Sequence, residues 1–261
     1  MFSRGKVEKT TPIAIKFDEP LTSDSCSKII IELIKYILYQ KQQIPFSCDT
    51  LLQLQSRIKP NDRNFNSTNN LFTTLDNITD QLSSQLHLDD CDIKEIVVII
   101  GATTISPKFC VKFELPTLIL SSKMHLEYQH SYRKPLLHLM RSLVEYPEFQ
   151  EAMTAPLCPT NTFVLVQKSD SNPKSDFFLP KPQYTPPIQT ATCISIKLYH
   201  NEDISMACTC SSIVKVYNDN ESKQNNDRNL NDKIDNFTKT KAPYLWYQSR
   251  AIVKGFKYSS R

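Results

Sequence analysis

The sequence predicts a globular chain in which amphipathic helices are set against a β-sheet, and three features predict it. Residues 23–43 carry apolar side chains at helical spacing. The run Glu95 to Gly101, EIVVIIG, is short, unbroken and β-branched, as befits a central strand buried on both faces. From Thr162 onwards the chain alternates in FVLVQ, CISIKLYH and SSIVKVY, with polar, Pro-bearing or Asn-rich stretches between. With 40% hydrophobic residues in 261, the chain can fill a core as one large domain or two small ones.

The first helix is the most informative element. Ser23-Asp24-Ser25 offers N-caps, and Pro45 stops the helix at about Gln43. Ile30, Leu33, Ile34, Ile37 and Leu38 form a core-facing stripe, with Lys28, Glu32 and Lys35 on the opposite face. Between them, steps of about 100° per residue align Ile29, Leu33, Tyr36 and Gln40 into a flank that is apolar with a polar end. Interface cores combine aromatic and aliphatic contact with a few polar groups that fix register. A helix buried on two sides within its own domain gives the same flank, so the residues alone leave both readings open.

A short segment with Leu51, Leu52 and Leu54 follows, and residues 57–70 (RIKPNDRNFNSTNN) read as a polar loop, expected to be disordered. Leu71 to Leu86 resumes a helical rhythm through Leu75, Ile78 and Leu82. After the central strand, residues 109–120 add a second one. Tyr132 to about Glu151 reads as helix, with Leu136, Leu139, Met140 and Leu143 on one side and Pro147 placed to break or kink it. KSDSNPKSDFFLPKPQYTPP reads as a loop, and residues 218–241 hold so few core-forming side chains that a disordered insertion is expected. The terminal YLWYQSRAIVKGFKY, with the single tryptophan, is strand-like and returns to the sheet. The folded domain is placed at 13–258, behind a flexible 1–12.

Composition excludes several chemistries. Phosphate-cradling loops need clustered glycines, and the three present, Gly5, Gly101 and Gly255, are far apart. A net charge of +4 arises from 31 basic and 27 acidic residues spread evenly, which gives no stripe for nucleic acid. MFSRGKVEKTTP lacks an apolar leader region, and no run approaches the roughly 20 apolar residues of a membrane span. A cytosolic or nuclear protein is expected, with its eight cysteines as free thiols and Asn66, Asn77 and Asn236 unmodified. Cys193, His200, Cys208 and Cys210 lie close in sequence but lack paired zinc-ligand spacing, so buried core cysteines are the simpler reading. His87, His125, His130, His138 and His200 fall in no catalytic motif, so no enzyme, metal or cofactor is expected. Pro180-Lys181, taken alone, is an ordinary turn in an exposed loop, and Lys254-Gly255-Phe256 a strand with a close approach at glycine.

Several segments read in order, LIKYILYQKQQIP, EIVVIIGATTISPK, the Ala155 to Leu157 APL followed by FVLVQ, FFLPKPQY, and YLWYQSRAIVKGF, resemble the comet family of spindle-checkpoint Mad-two (Mad2)-binding proteins. The resemblance spans about residues 13–258. It implies a single HORMA-like α+β domain: a central sheet backed by helices, with a C-terminal segment that wraps like a safety belt. It further implies an adaptor that binds the closed conformer of Mad2 and presents it to a hexameric AAA+ ATPase for remodelling. Such an adaptor silences the checkpoint in nucleus and cytoplasm, at spindle or kinetochore in mitosis. The family's partner-contacting glutamine falls on Gln40, and a second contact falls on Met140, where methionine replaces phenylalanine; the flank residues Tyr36, Leu33 and Ile29 accompany them. The family's ATPase-contacting Pro-Lys falls on Pro180 and Lys181. An alternative is a HORMA-type protein that captures a peptide through its own C-terminal belt, with a zinc-dependent enzyme a distant third.

Overall fold

In the computed structural model, residues 12–57, 59–60, 62–88, 91–120, 130–170, 175–187, 192–200 and 243–259 are described. The strand expected in SSIVKVY, the 218–241 insertion, most of the N-terminal segment and the two cysteines at 208 and 210 lie outside them.

Strand β1 (Ile13–Phe17) leads into helix α1 (Ser23–Gln40), followed by α2 (Cys48–Gln55), α3 (Arg63–Leu86), β2 (Cys91–Gly101) and β3 (Pro107–Glu114). Helices α4 (Arg133–Glu145) and α5 (Pro147–Thr154) precede β4 (Asn161–Asp170), β5 (Phe178–Lys181), β6 (Thr192–His200), β7 (Leu245–Ser249) and β8 (Val253–Lys254). The strands form one mixed sheet in the order β1-β6-β3-β2-β4-β7-β5, with β8 paired to β4. β6 runs parallel to both β1 and β3, and the other pairings are antiparallel. A central sheet backed by helices in one α+β domain, as expected, is what the chain adopts.

The sheet buries both faces. Ile96, Val98 and Ile100 of β2 join α1, α3, α4 and α5 in the main core, while Val97 and Ile99 meet Cys110, Phe163, Leu165 and Trp246 on the other face. Period-two alternation sends successive side chains to opposite faces, so an unbroken β-branched run is what this strand requires. β2 lies mid-sheet, and β7 and β8 bring the C-terminal segment back against β4, both as expected.

Four local readings are corrected. The N-cap of α1 is Thr22, not Ser23 to Ser25: its hydroxyl accepts from the Ser25 N–H while Ser25 answers the Thr22 N–H, a closed capping box. The helix ends at Gln40, because Gln42 adopts a positive φ of 54° that breaks it before Pro45 is reached. Residues 63–70 are not a loop but the first two turns of α3, N-capped by Asp62 onto the Asn64 N–H at 2.8 Å. Their inner face is polar, with Asn64 and Thr68 buried, so no apolar rhythm marks it. Finally, Phe178–Lys181 is strand rather than loop; as an edge strand it tolerates Pro180, whose missing N–H costs no ladder bond on the open side. Pro147 ends one helix and opens the next at N1, where its absent donor is harmless.

Candidate protein-interaction surface

α1 is more deeply enclosed than a two-faced helix. Ile29, Ile30, Leu33, Ile34, Ile37 and Leu38 are all fully buried, and the charged side keeps Glu32 and Lys35 only half exposed in a 2.7 Å ion pair. Ile29 and Leu33 are therefore core residues of this chain, and no partner reaches them while it stays folded. Helical steps placed them on a flank, but α4 and α5 pack along that flank and close it. Tyr36 is half-buried, stacked on Phe149 of α5 with ring centroids 6.2 Å apart, and burial raises its phenol pKa. Of the expected strip, Tyr36 and Gln40 alone keep solvent-facing surface.

The helical layer has a defined course. Lys28 lies over the Tyr132 ring at 5.7 Å, Tyr36 against Phe149, and Lys41 beneath the Ala152 and Ala155 carbonyls, so α4 and α5 track α1 in the same sense. On α4, Leu139 and Leu143 enter the core, whereas Leu137 and Val144 stand 52% and 48% exposed with half-buried Met140 between them. The i, i+3, i+7 spacing puts Leu137, Met140 and Val144 in one outward stripe. At the far end of α1, Tyr39 is 45% exposed, and Gln40 borders a groove of about 660 Å³ shared with Pro45, Pro156, Pro159 and Phe256.

What fixes this end of α1 is the pair of residues after Gln40. Lys41 is buried, donates to the Ala152 and Ala155 carbonyls at the C-terminal end of α5, and lies 4.3 Å from the Phe109 ring centroid. Burial lowers its pKa. Gln43 is fully buried: its amide donates to the carbonyls of Lys41 and Leu157 at 3.0 and 3.2 Å, and its Oε1 accepts from the Thr160 N–H at 2.8 Å. The Phe256 N–H then donates to the Gln43 carbonyl and the Gly255 N–H to the Thr160 carbonyl, tying the C-terminal segment to both.

Pro180 and Lys181 lie elsewhere. Pro180 is exposed opposite Tyr247, and Lys181 opposite Trp246, on the outermost strand. Lys181 donates to the Thr104 hydroxyl at 3.3 Å and sits 5.5 Å from the Tyr184 ring centroid, while the Tyr184 hydroxyl donates to the Thr104 carbonyl at 2.9 Å. Among the described residues, no cluster of three or more His, Cys, Asp or Glu is placed to hold a metal ion. Also among them, no helix is long and apolar enough to cross a membrane.

Residues 6–216 match the model of a family described as p31comet: Mad1 and Cdc20-bound-Mad2 binding. The chain belongs to the p31comet family. It is similar to the human MAD2L1-binding protein, 23% identical over 256 residues that cover 94% of this chain and 80% of that protein. The mouse MAD2L1-binding protein is similar to a like degree, 22% over 254 residues, 94% and 78% of the two chains.

In this p31comet member Gln40 and Met140, the contacts that the resemblance implies, both keep solvent-facing surface, although helical spacing sets Met140 with Leu136, Leu139 and Leu143. Leu137 and Val144 fall off the inward rhythm of Leu136, Leu139 and Leu143, and that offset is the sequence signal for their outward position. Lys41 and Gln43 carry no local signal, because their burial depends on segments more than a hundred residues away.

Proposed function

We propose that this chain is a non-catalytic adaptor that binds the closed conformer of Mad2 and presents it to a hexameric AAA+ ATPase, silencing the spindle checkpoint in nucleus and cytoplasm, at spindle or kinetochore in mitosis. Membership of the p31comet family supports the first partner. The observation that carries the division of labour is the distance between the two surfaces. α4, with its outward Leu137, Met140 and Val144, packs against β1 at one border of the sheet, and Pro180 and Lys181 form part of β5 at the other. Six strand spacings separate those borders, roughly 29 Å at about 4.8 Å each. Two folded partners can be held at once without competing for the same side chains.

Recognition of one conformer needs contacts that exist in the closed state alone. The outward stripe of α4 supplies shape-dependent apolar contact, and Gln40, beyond the end of α5, a polar group that sets register. The assay is capture of Mad2 locked open or locked closed by the immobilised chain. Retention of the closed form alone is expected, and equal retention of both overturns the reading. Peptide capture by the C-terminal belt is less favoured, because both edges of β7 are already paired, with β4 and β5. A captured strand would have to displace one of the chain's own.

A further inference from the structure

Cys110 of β3 and Cys193 of β6 are registered neighbours on adjacent parallel strands, and their sulfur atoms lie 3.1 Å apart. Strand spacing of about 4.8 Å falls inside the roughly 4.4–6.8 Å between Cα atoms that a disulfide spans. Both residues sit at fixed strand positions, so joining the sulfurs needs a side-chain rotation and no backbone change. The two thiols are unequal: Cys110 is buried and Cys193 half-buried. Their shared hydrogen bond, with burial, pushes the Cys110 thiol up, and the same bond draws Cys193 down towards thiolate. Cys26 and Cys48, by contrast, are pushed up by burial to about 12 and about 11 and stay protonated.

We propose that Cys110 and Cys193 are a dithiol couple that closes reversibly to a disulfide when the chain meets a peroxide. The Cys193 thiolate attacks one peroxide oxygen; the O–O bond breaks, and the hydroxide released takes a proton and leaves as water. The Cys110 sulfur then attacks the Cys193 sulfenic sulfur, the S–O bond breaks, and that oxygen departs with the Cys110 proton as a second water. Two thiols are oxidised by two electrons and the peroxide is reduced to two waters; a small dithiol reverses the bond by exchange. Closure ties together positions 83 residues apart and fastens β6, which pairs with β1, to β3.

The experiment treats the purified full chain with graded hydrogen peroxide, alkylates the remaining thiols and maps the digested peptides. Expected are a Cys110–Cys193 linked peptide, loss of two of the eight alkylatable thiols, their return with dithiothreitol, and an upward shift in melting temperature on oxidation. Cys110→Ser leaves Cys193 as a sulfenic acid trapped by dimedone, and Cys193→Ser abolishes the linked peptide. Mapping on the unaltered chain stands even if the buried Cys110→Ser variant folds poorly. Pairing of Cys193 with Cys158, Cys208 or Cys210, or survival of all eight thiols at peroxide levels that oxidise methionine, overturns the proposal.

Discussion

The Gln43 side-chain carbonyl accepts the Thr160 N–H at 2.8 Å, joining the turn after α1 to the residue just before β4, 117 positions later. With its amide bonded to the Lys41 and Leu157 carbonyls, this one fully buried glutamine satisfies three backbone groups at once. Gln43→Ala takes this partner from the Thr160 N–H and the Leu157 carbonyl, while the Lys41 carbonyl keeps the Leu157 N–H, a cost of about 1–3 kcal/mol. Urea unfolding is expected to show that loss, and a change below roughly 0.5 kcal/mol would show that water replaces the amide.

Gly255 passes so close to the same node that a Cβ would lie 2.9 Å from Gln43 Oε1 and from the Thr160 N and O atoms. Two of those contacts are backbone and cannot swing away. Gly255→Ala is expected to destabilise the fold by about 1–3 kcal/mol and to raise amide exchange selectively in residues 253–258. Unchanged exchange there would mean the segment shifts at no cost.

For the proposed closed-Mad2 contact, Gln40→Ala combined with Met140→Ala is expected to weaken binding more than tenfold, about 1.4 kcal/mol. Gln40 is half-buried and Met140 lies half-buried against the core, so the melting temperature should fall far less than for a fully buried truncation. Titration calorimetry measures the first, and retained affinity would place the contact on another face.

Leu33 serves as the contrasting case. It is completely buried in this chain's own core, so Leu33→Ala should cost about 2–5 kcal/mol of stability through the cavity it leaves. The remaining folded fraction should bind with unaltered affinity. A drop in affinity at full folding would return Leu33 to the interface.

Lys181→Ala removes an edge-strand cation whose described neighbours are the Thr104 hydroxyl and the Tyr184 ring. Under the adaptor reading it abolishes stimulation of ATPase-driven Mad2 remodelling while leaving closed-Mad2 capture intact. Loss of both together would argue against separate surfaces.

Local patterns carried most of the fold. α1, β2, β4 and the α4–α5 break at Pro147 are legible because apolar period and proline position act over a few residues. The start of α3 was hidden by its composition: Asn64 faces inward to bond the Ser259 backbone at 3.0 and 2.9 Å, so a helix face that is buried reads as polar. The candidate surface was half legible. Periodicity separates inward from outward on α1, yet it cannot register that α4 and α5 cover the flank holding Ile29 and Leu33. Lys41 and Gln43 are charged or polar and pass for solvent-facing residues until the distant carbonyls that receive them are in place.

The node at Gln43 also orders the events of biosynthesis. Apart from the neighbouring Lys41 carbonyl, its partners stand at positions 157, 160 and 256, so most of the contact that seals the end of α1 has no local precursor. Until residues 152–160 have emerged from the ribosome, Lys41 and Gln43 lack the distant backbone groups with which they enter the core, and the turn beside Gln40 stays wet. The last tie, from the Phe256 N–H to the Gln43 carbonyl, sets when synthesis has passed Phe256, which leaves a nascent chain with much of its sheet but without the finished groove beside Gln40.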